Sequence, residues 1–292
     1  MSIVFEKATR AKSKARIAIT GPSGSGKTLS ALYLAFGITG SWDKVALIDT
    51  EHERARNYAQ DKERGVGQFL WQSLTPPYSP DRYIDYVRSA AETVGSDGVI
   101  IVDSFSHAWD NEGGVLDIKD NIEKTHKGST SFSAWGEAGK IQNNLVNTIL
   151  SVNCHTIVTM RAKMAYAMEI NDRGKTVPVK IGLAPIQRDN TEYEFDIVFQ
   201  LNREHIASLS KDTTFLDAWS GVITPEIGKQ LGDWFNIGED VPRCADCGRV
   251  IMADAKRTVG YIVKNSTEKL GRQLCMSCVA KAIHKQKEAA QA

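Results

Sequence analysis

No run of apolar residues in this 292-residue chain is long enough to span a bilayer, and no stretch has the build of a secretory leader, so a cytoplasmic protein is the expectation. Net charge is nearly lacking too. The 36 Lys and Arg stand against 35 Asp and Glu, which leaves no overall field to draw a polyanion. Cysteine is scarce: five residues in a reducing compartment exclude a disulfide framework as the source of stability. The hydrophobic fraction of 42% is ordinary for a chain that buries a core, and the length allows one large domain with an appendage.

The balance of charge hides an asymmetry. Residues 241–292 hold ten Lys and Arg against four Asp and Glu, and the remainder of the chain is acidic. The same basic end carries four of the five cysteines as two CxxC pairs, Cys244/Cys247 and Cys275/Cys278, a spacing that suits one structural Zn²⁺ held by four thiolates. A module of about fifty residues has too little core without such a metal. The expected arrangement is a knuckle, strands at 258–264, and a second knuckle at a helix start, which resembles a treble-clef or ribbon finger. Its basic surface suits DNA or a protein partner, and a purely structural cap is the other reading. Cys154, in an apolar run, reads as a small buried hydrophobe.

At the other end, an apolar strand from residue 15 runs into Gly21-Pro22-Ser23-Gly24-Ser25-Gly26-Lys27-Thr28, and a segment with helical apolar spacing follows. This is the GxxxxGK[ST] pattern of a phosphate-binding loop. Gly21, Gly24 and Gly26 let successive backbone N–H groups turn inward around phosphate oxygens, beside the positive end of a helix. Lys27 is placed to reach the β and γ phosphates, and the Thr28 hydroxyl to ligate Mg²⁺. Two acids follow apolar strands. Asp103, after Val99-Ile-Ile-Val, is the expected second metal-organising residue, and Glu51 the expected group that activates water.

Strands at 44–51, 68–73, 98–103, 155–160, 193–201 and 205–209 alternate with helices at 81–94, 134–152 and 225–235. That alternation predicts an α/β fold with a mostly parallel sheet and a ligand at the carboxyl ends of its strands. Residues 105–135 read as irregular and 165–180 as a hairpin. The expected organisation is an ATPase domain over 1–237, a linker over 238–243 and a zinc-binding module over 244–292.

Leu47-Ile-Asp-Thr-Glu51-His52 resembles the segment that carries the catalytic glutamate of RecA-type ATPases; Tyr58 matches their adenine-stacking tyrosine, and Val102-Asp103-Ser104 their Walker B. Val158-Thr159-Met160-Arg161-Ala162-Lys163 is similar to the strand whose polar residue senses the γ-phosphate. Together with Gly182-Leu-Ala-Pro-Ile-Gln-Arg188 and Tyr193-Glu-Phe-Asp196, residues 14–237 resemble the small RecA-like ATPases of bacteriophages associated with single-strand annealing and recombination. Two positions depart: Thr159 stands for the sensor glutamine and Ala55 for an acid near the adenine.

The resemblance implies a RecA-like P-loop core that binds ATP with Mg²⁺, with Glu51, Lys27 and Thr159 as catalytic groups. It implies single-stranded DNA as a partner, assembly into a homo-oligomeric filament or ring, and a phage annealing or single-strand-binding protein as a companion; no membrane is involved. DNA-binding loops are implied at 105–135, with Trp109, Lys124, Lys127, Phe132 and Trp135, and at 162–188, with Lys163, Tyr166, Arg173, Lys175, Lys180 and Arg188. Core packing of several of these aromatics is the competing reading. Lys211 or Arg188 is implied to reach a neighbouring subunit's nucleotide. The alternatives are a helicase or helicase loader, although obvious helicase motifs are lacking, and an annealing scaffold that uses ATP only as an assembly switch.

Overall fold

The computed structural model describes residues 7–125, 130–170 and 176–289, and the chain divides into two compact units. The larger, Ala15–Trp234, begins β1 (Arg16–Gly21), α1 (Lys27–Thr39), β2 (Val45–Asp49), β3 (Leu70–Ser73), α2 (Pro80–Val94) and β4 (Val99–Asp103). It continues through α3 (His107–Asp110), α4 (Val115–Thr125), α5 (Ser131–Ser151), β5 (His155–Ile170) and β6 (Thr176–Pro185). Then follow β7 (Ile197–Leu201), β8 (Ala207–Asp212), β9 (Ser220–Gly221) and α6 (Pro225–Phe235).

The strands lie in the order β3-β2-β4-β5-β1-β7-β8-β9, and β6 pairs with β5 outside this row. From β3 to β7 every pairing is parallel. Every residue of β1, β2 and β4 is buried, because helices cover both faces of a parallel sheet and its strands are mostly apolar, with Asp49 and Asp103 at their carboxyl ends. Helix α2 starts with proline in its first turn and buries Tyr83, Ile84 and Val87 on one stripe. Gly37 of α1 and Gly228 of α6 let two helix backbones touch: a Cβ on Gly37 would lie 2.0 Å from the Pro225 carbonyl oxygen and 2.7 Å from Gly228 Cα.

Three local expectations are corrected. The stretch 105–135 is largely helical where described: α3, α4 and the start of α5, where Thr130 Oγ1 accepts from Ser133 N at 3.2 Å. Gly113-Gly114 cuts this stretch into pieces too short to show a period. The expected strand from 193 begins only at Ile197, after a 3₁₀ turn at Thr191–Glu194. Strand β5 is longer than expected, since the sensor strand and the first arm of the hairpin are continuous.

The second unit joins the residues before Ala15 to those from Phe235 onward. Ser13 N donates to the Phe235 carbonyl and Lys12 N to that of Glu239, both at 2.9 Å, and Lys12 Nζ meets Asp240 at 2.8 Å. Residues 238–240 are thus paired to the amino-terminal segment. Beyond them lie α7 (Val259–Leu270) and α8 (Met276–Ala289). The strands expected at 258–264 are therefore helix. Thr258 caps α7 by accepting from Tyr261 N at 3.1 Å, Gly271 ends it in the left-handed region, and Ile262 and Ser266 turn inward four residues apart. The β-branched Val259, Ile262 and Val263 favour strand by propensity, and the helical stripe overrides it. Among the described residues no helix is long and apolar enough to cross a membrane.

Candidate active site

Four strands deliver the site, because their parallel register brings their carboxyl ends level: Gly21 pairs with Arg161, and Asp49 with Asp103. Between β1 and α1 the loop turns at Gly24 (φ 79°) and Gly26 (φ 88°), a backbone region that disfavours side chains. Gly26 at the amino terminus of α1 has no side chain to cap it, and among the described residues no side-chain cap bond is made there, which leaves its first N–H groups available to an anion. Ser23, Gly24, Gly26, Lys27 and Thr28 line a cavity of about 800 Å³, while Gly21 closes β1, Pro22 sits at the turn and buried Ser25 backs the loop. Lys27 Nζ donates to the carbonyls of Gly21 at 3.0 Å and Pro22 at 2.9 Å. Burial pushes its pKa down, against the opposing pull of Asp103 and Glu51.

Asp103 is buried at the end of β4. Its Oδ2 accepts from Thr28 Oγ1 at 2.6 Å and its Oδ1 from Thr159 Oγ1. Among the described residues no cation forms an ion pair with it, and burial raises its pKa against the pull of those two hydroxyls. A buried carboxylate beside a hydroxyl is a hard oxygen donor set that fits Mg²⁺. Thr159 is fully buried and donates its hydroxyl to Asp103. Two residues on, on the same face of β5, Arg161 lines the cavity instead.

Glu51 also lines the cavity. Asp49 shapes the turn that carries it, accepting from Glu51 N at 2.7 Å and Ala55 N at 3.1 Å. The Glu51 carboxylate forms a fork with Arg161, Nε to Oε1 at 2.8 Å and Nη2 to Oε2 at 2.6 Å. Burial raises its pKa, but the Arg161 bonds and charge, with His107 and Lys27, leave it below the ordinary value. On its other side buried His107 bonds Thr50 Oγ1 through Nδ1 at 2.7 Å, and its Nε2 lies 3.8 Å from Glu51 Oε1. Burial, with Arg161, pushes the His107 pKa down to about 4. Tyr58, Arg54 and Asn57 line the same cavity, whereas the Ala55 side chain is buried.

Arg161, His107 and Asp49 were not singled out by sequence. Asp49 closes an apolar strand, the signal that marked Asp103, whereas Arg161 lies within β5 and His107 begins α3, so neither carries that signal.

The remaining expected residues are spread more widely. Lys163 and Arg188 are exposed, and Arg188 Nη1 donates to Asn143 Oδ1 at 2.8 Å. Lys180 belongs to β6, opposite Tyr166, and the side chains of both lie outside the described residues, as do Arg173, Lys175 and Lys127 entirely. Lys211 on β8 donates to the Tyr193 carbonyl. Lys124 is exposed near the end of α4. Trp109 stacks on Trp135 at 6.0 Å, Lys119 lies 5.8 Å over the Trp135 ring, and Phe132 is 88% exposed.

In the second unit the Sγ atoms of Cys244, Cys247, Cys275 and Cys278 lie within 4.8 Å of one another. Cys247 and Cys275 are 3.7 Å apart, against an edge of about 3.8 Å for a tetrahedron with Zn–S bonds of about 2.3 Å, so the set fits Zn²⁺. Arg249 Nε, 3.5 Å from Cys247 Sγ, holds that thiol below its ordinary pKa.

No curated protein matches the chain. A family model described as AAA domain matches residues 13–256, which takes in the phosphate loop, Glu51, Asp103, Arg161 and the first cysteine pair. With more than four-fifths of its length matched and its strand ends converging on a phosphate loop, the chain belongs to the AAA domain family of P-loop ATPases.

Proposed function

We propose that this protein hydrolyses ATP and couples turnover to single-stranded DNA, in support of strand annealing or recombination of phage DNA. One cavity holding the phosphate loop, the Thr28–Asp103 pair and Glu51 carries the hydrolytic part. Lys27 and the first N–H groups of α1 hold the phosphates. Thr28 and Asp103 would hold Mg²⁺, which would supply positive charge to offset that on the transferred group. Glu51 orients a water and accepts its proton as the water oxygen bonds to the γ-phosphorus and the bond to the β–γ bridging oxygen breaks, yielding ADP and phosphate. Tyr58 stacks on the base.

The DNA part rests on the Trp109–Trp135 stack with exposed Phe132, since base stacking on rings suits single strands whatever their sequence. Lys163 and Arg188, with Arg173, Lys175 and Lys180 of the hairpin region, supply phosphate contacts. Lys211 or Arg188 acts on a neighbour's nucleotide in a homo-oligomer, and the zinc unit adds a basic surface for DNA or a phage annealing partner.

ATP turnover with single-stranded DNA, duplex DNA, RNA or no polymer, at two salt concentrations, tests this reading. Stimulation by single strands above all others supports it. Equal turnover in every condition, without salt-sensitive binding, removes the DNA part and leaves an ATPase.

A further inference from the structure

We propose that Arg161 is the catalytic residue that reads the γ-phosphate, and that it does so by exchanging its fork on Glu51 for one on the phosphate, which frees Glu51 to act. The proposal rests on the ATP reading above. Three observations place the guanidinium for this. Arg161 pairs with Gly21, the first glycine of the phosphate loop, so its Cα sits level with the phosphates' entry into that loop. Its backbone is held on both sides, the N–H by Ser106 Oγ at 2.9 Å and the carbonyl by Ile186 N at 2.7 Å. Its side chain is 41% exposed at the cavity while its partner Glu51 is 15% exposed, so the cation is the accessible half of the pair.

The chemistry of the pair supplies the coupling. Both Glu51 oxygens accept from Arg161, so the fork occupies the group expected to take a proton from water. A guanidinium binds carboxylate and phosphate in the same planar two-point manner. A γ-phosphate carries more charge than a carboxylate and competes for that fork, whereas a diphosphate brings no such group. In the exchange Arg161 stabilises charge on the transferred group. Glu51 keeps the adjacent His107, whose Nε2 has no hydrogen-bond partner among the described residues, and its oxygens turn to water. Base availability thus depends on a bound triphosphate.

The test is a double-variant cycle on the full chain, reading Mg-ATP and Mg-ADP affinity by calorimetry for wild type, Glu51→Gln, Arg161→Gln and the pair. Arg161→Gln is expected to lose about 10-fold or more in ATP affinity, as for a charged hydrogen bond, and to leave ADP affinity within about twofold. Glu51→Gln, which weakens the competing fork, is expected to bind ATP more tightly, and that gain is expected to vanish in the double variant. ATP turnover by Arg161→Gln is expected to fall about 100-fold or more. If Arg161→Gln does not fold, Arg161→Lys carries the same test, because it keeps the charge without the fork and is expected to lose part of the ATP preference. An unchanged ATP-to-ADP affinity ratio in a folded Arg161 variant overturns the exchange alone. Wild type that binds neither nucleotide overturns the ATP reading and the exchange together.

Discussion

Thr28 Oγ1 donates to Asp103 Oδ2 at 2.6 Å, joining the first turn of α1 to the end of β4 across 75 positions of sequence. The bond presents two oxygens at the floor of the cavity, and Asp103 has no ion-pair partner among the described residues. Removing either oxygen is expected to weaken metal binding. Thr28→Ala and Asp103→Asn should shift the Mg²⁺ dependence of ATP turnover to higher concentration and lower its maximum by about 100-fold or more. A Mg²⁺ titration of turnover checks both.

His107 makes stability pH-dependent. Its native pKa is pushed down to about 4, below the ordinary value of 6.5. Between those values the unfolded chain binds more protons, so this contribution is complete above pH 6.5 and is lost as the pH falls toward 4, on the order of 3 kcal/mol in all. Glu51, also lowered, acts in the same sense at still lower pH, and Asp103, raised, acts in the opposite one. Urea unfolding of wild type and His107→Gln from pH 8 to pH 4 isolates His107: the stability difference between the two should shrink on acidification.

Zinc is expected to hold the second unit together. Its apolar core is small, with Ile251, Ile262 and Leu274 packed beside buried Cys244 and Cys278. Structural zinc contributes roughly 10–16 kcal/mol in isolated zinc-finger peptides at neutral pH. A strong chelator, or Cys275→Ser, should unfold α7 and α8 and leave the sheet of the larger unit intact. Native mass spectrometry should report one zinc per chain, and hydrogen exchange should locate the loss at 244–289.

Stacking rather than charge is expected to carry the aromatic patch, because Lys119 is already paired with Asp120 and Glu123. Phe132→Ala and Trp135→Ala should each weaken single-stranded DNA binding by about 10-fold without changing its salt dependence, whereas Lys163→Ala should lower the salt slope by about 0.7. Binding isotherms at several salt concentrations separate the two effects.

The backbone contact between α1 and α6 leaves no room for a methyl group. Gly37→Ala is expected to destabilise the larger unit by roughly 1–3 kcal/mol, read as a shift in its unfolding transition.

How much of this was legible in the sequence followed from how local each signal was. The phosphate loop, Asp103, Glu51 and the four cysteines each announce themselves through short spacing or a place at the end of an apolar run. The buried strands were legible for the same reason. Arg161 was harder, because its partner Glu51 lies 110 positions away and only strand register brings the two together. Thr159 shows the same limit from the other side: strand alternation puts it on the face of Arg161, but only the fold reveals that Asp103 consumes its hydroxyl. In helix α7 the β-branched residues favour strand by propensity, while its cap and inward stripe act through three-dimensional contacts.

ATP turnover of Glu51→Gln beside wild type, at saturating Mg-ATP and single-stranded DNA, tests most directly whether Glu51 activates water at this cavity. The variant is expected still to bind ATP, with turnover lowered by about 100-fold or more. Turnover at the wild-type rate would contradict that role.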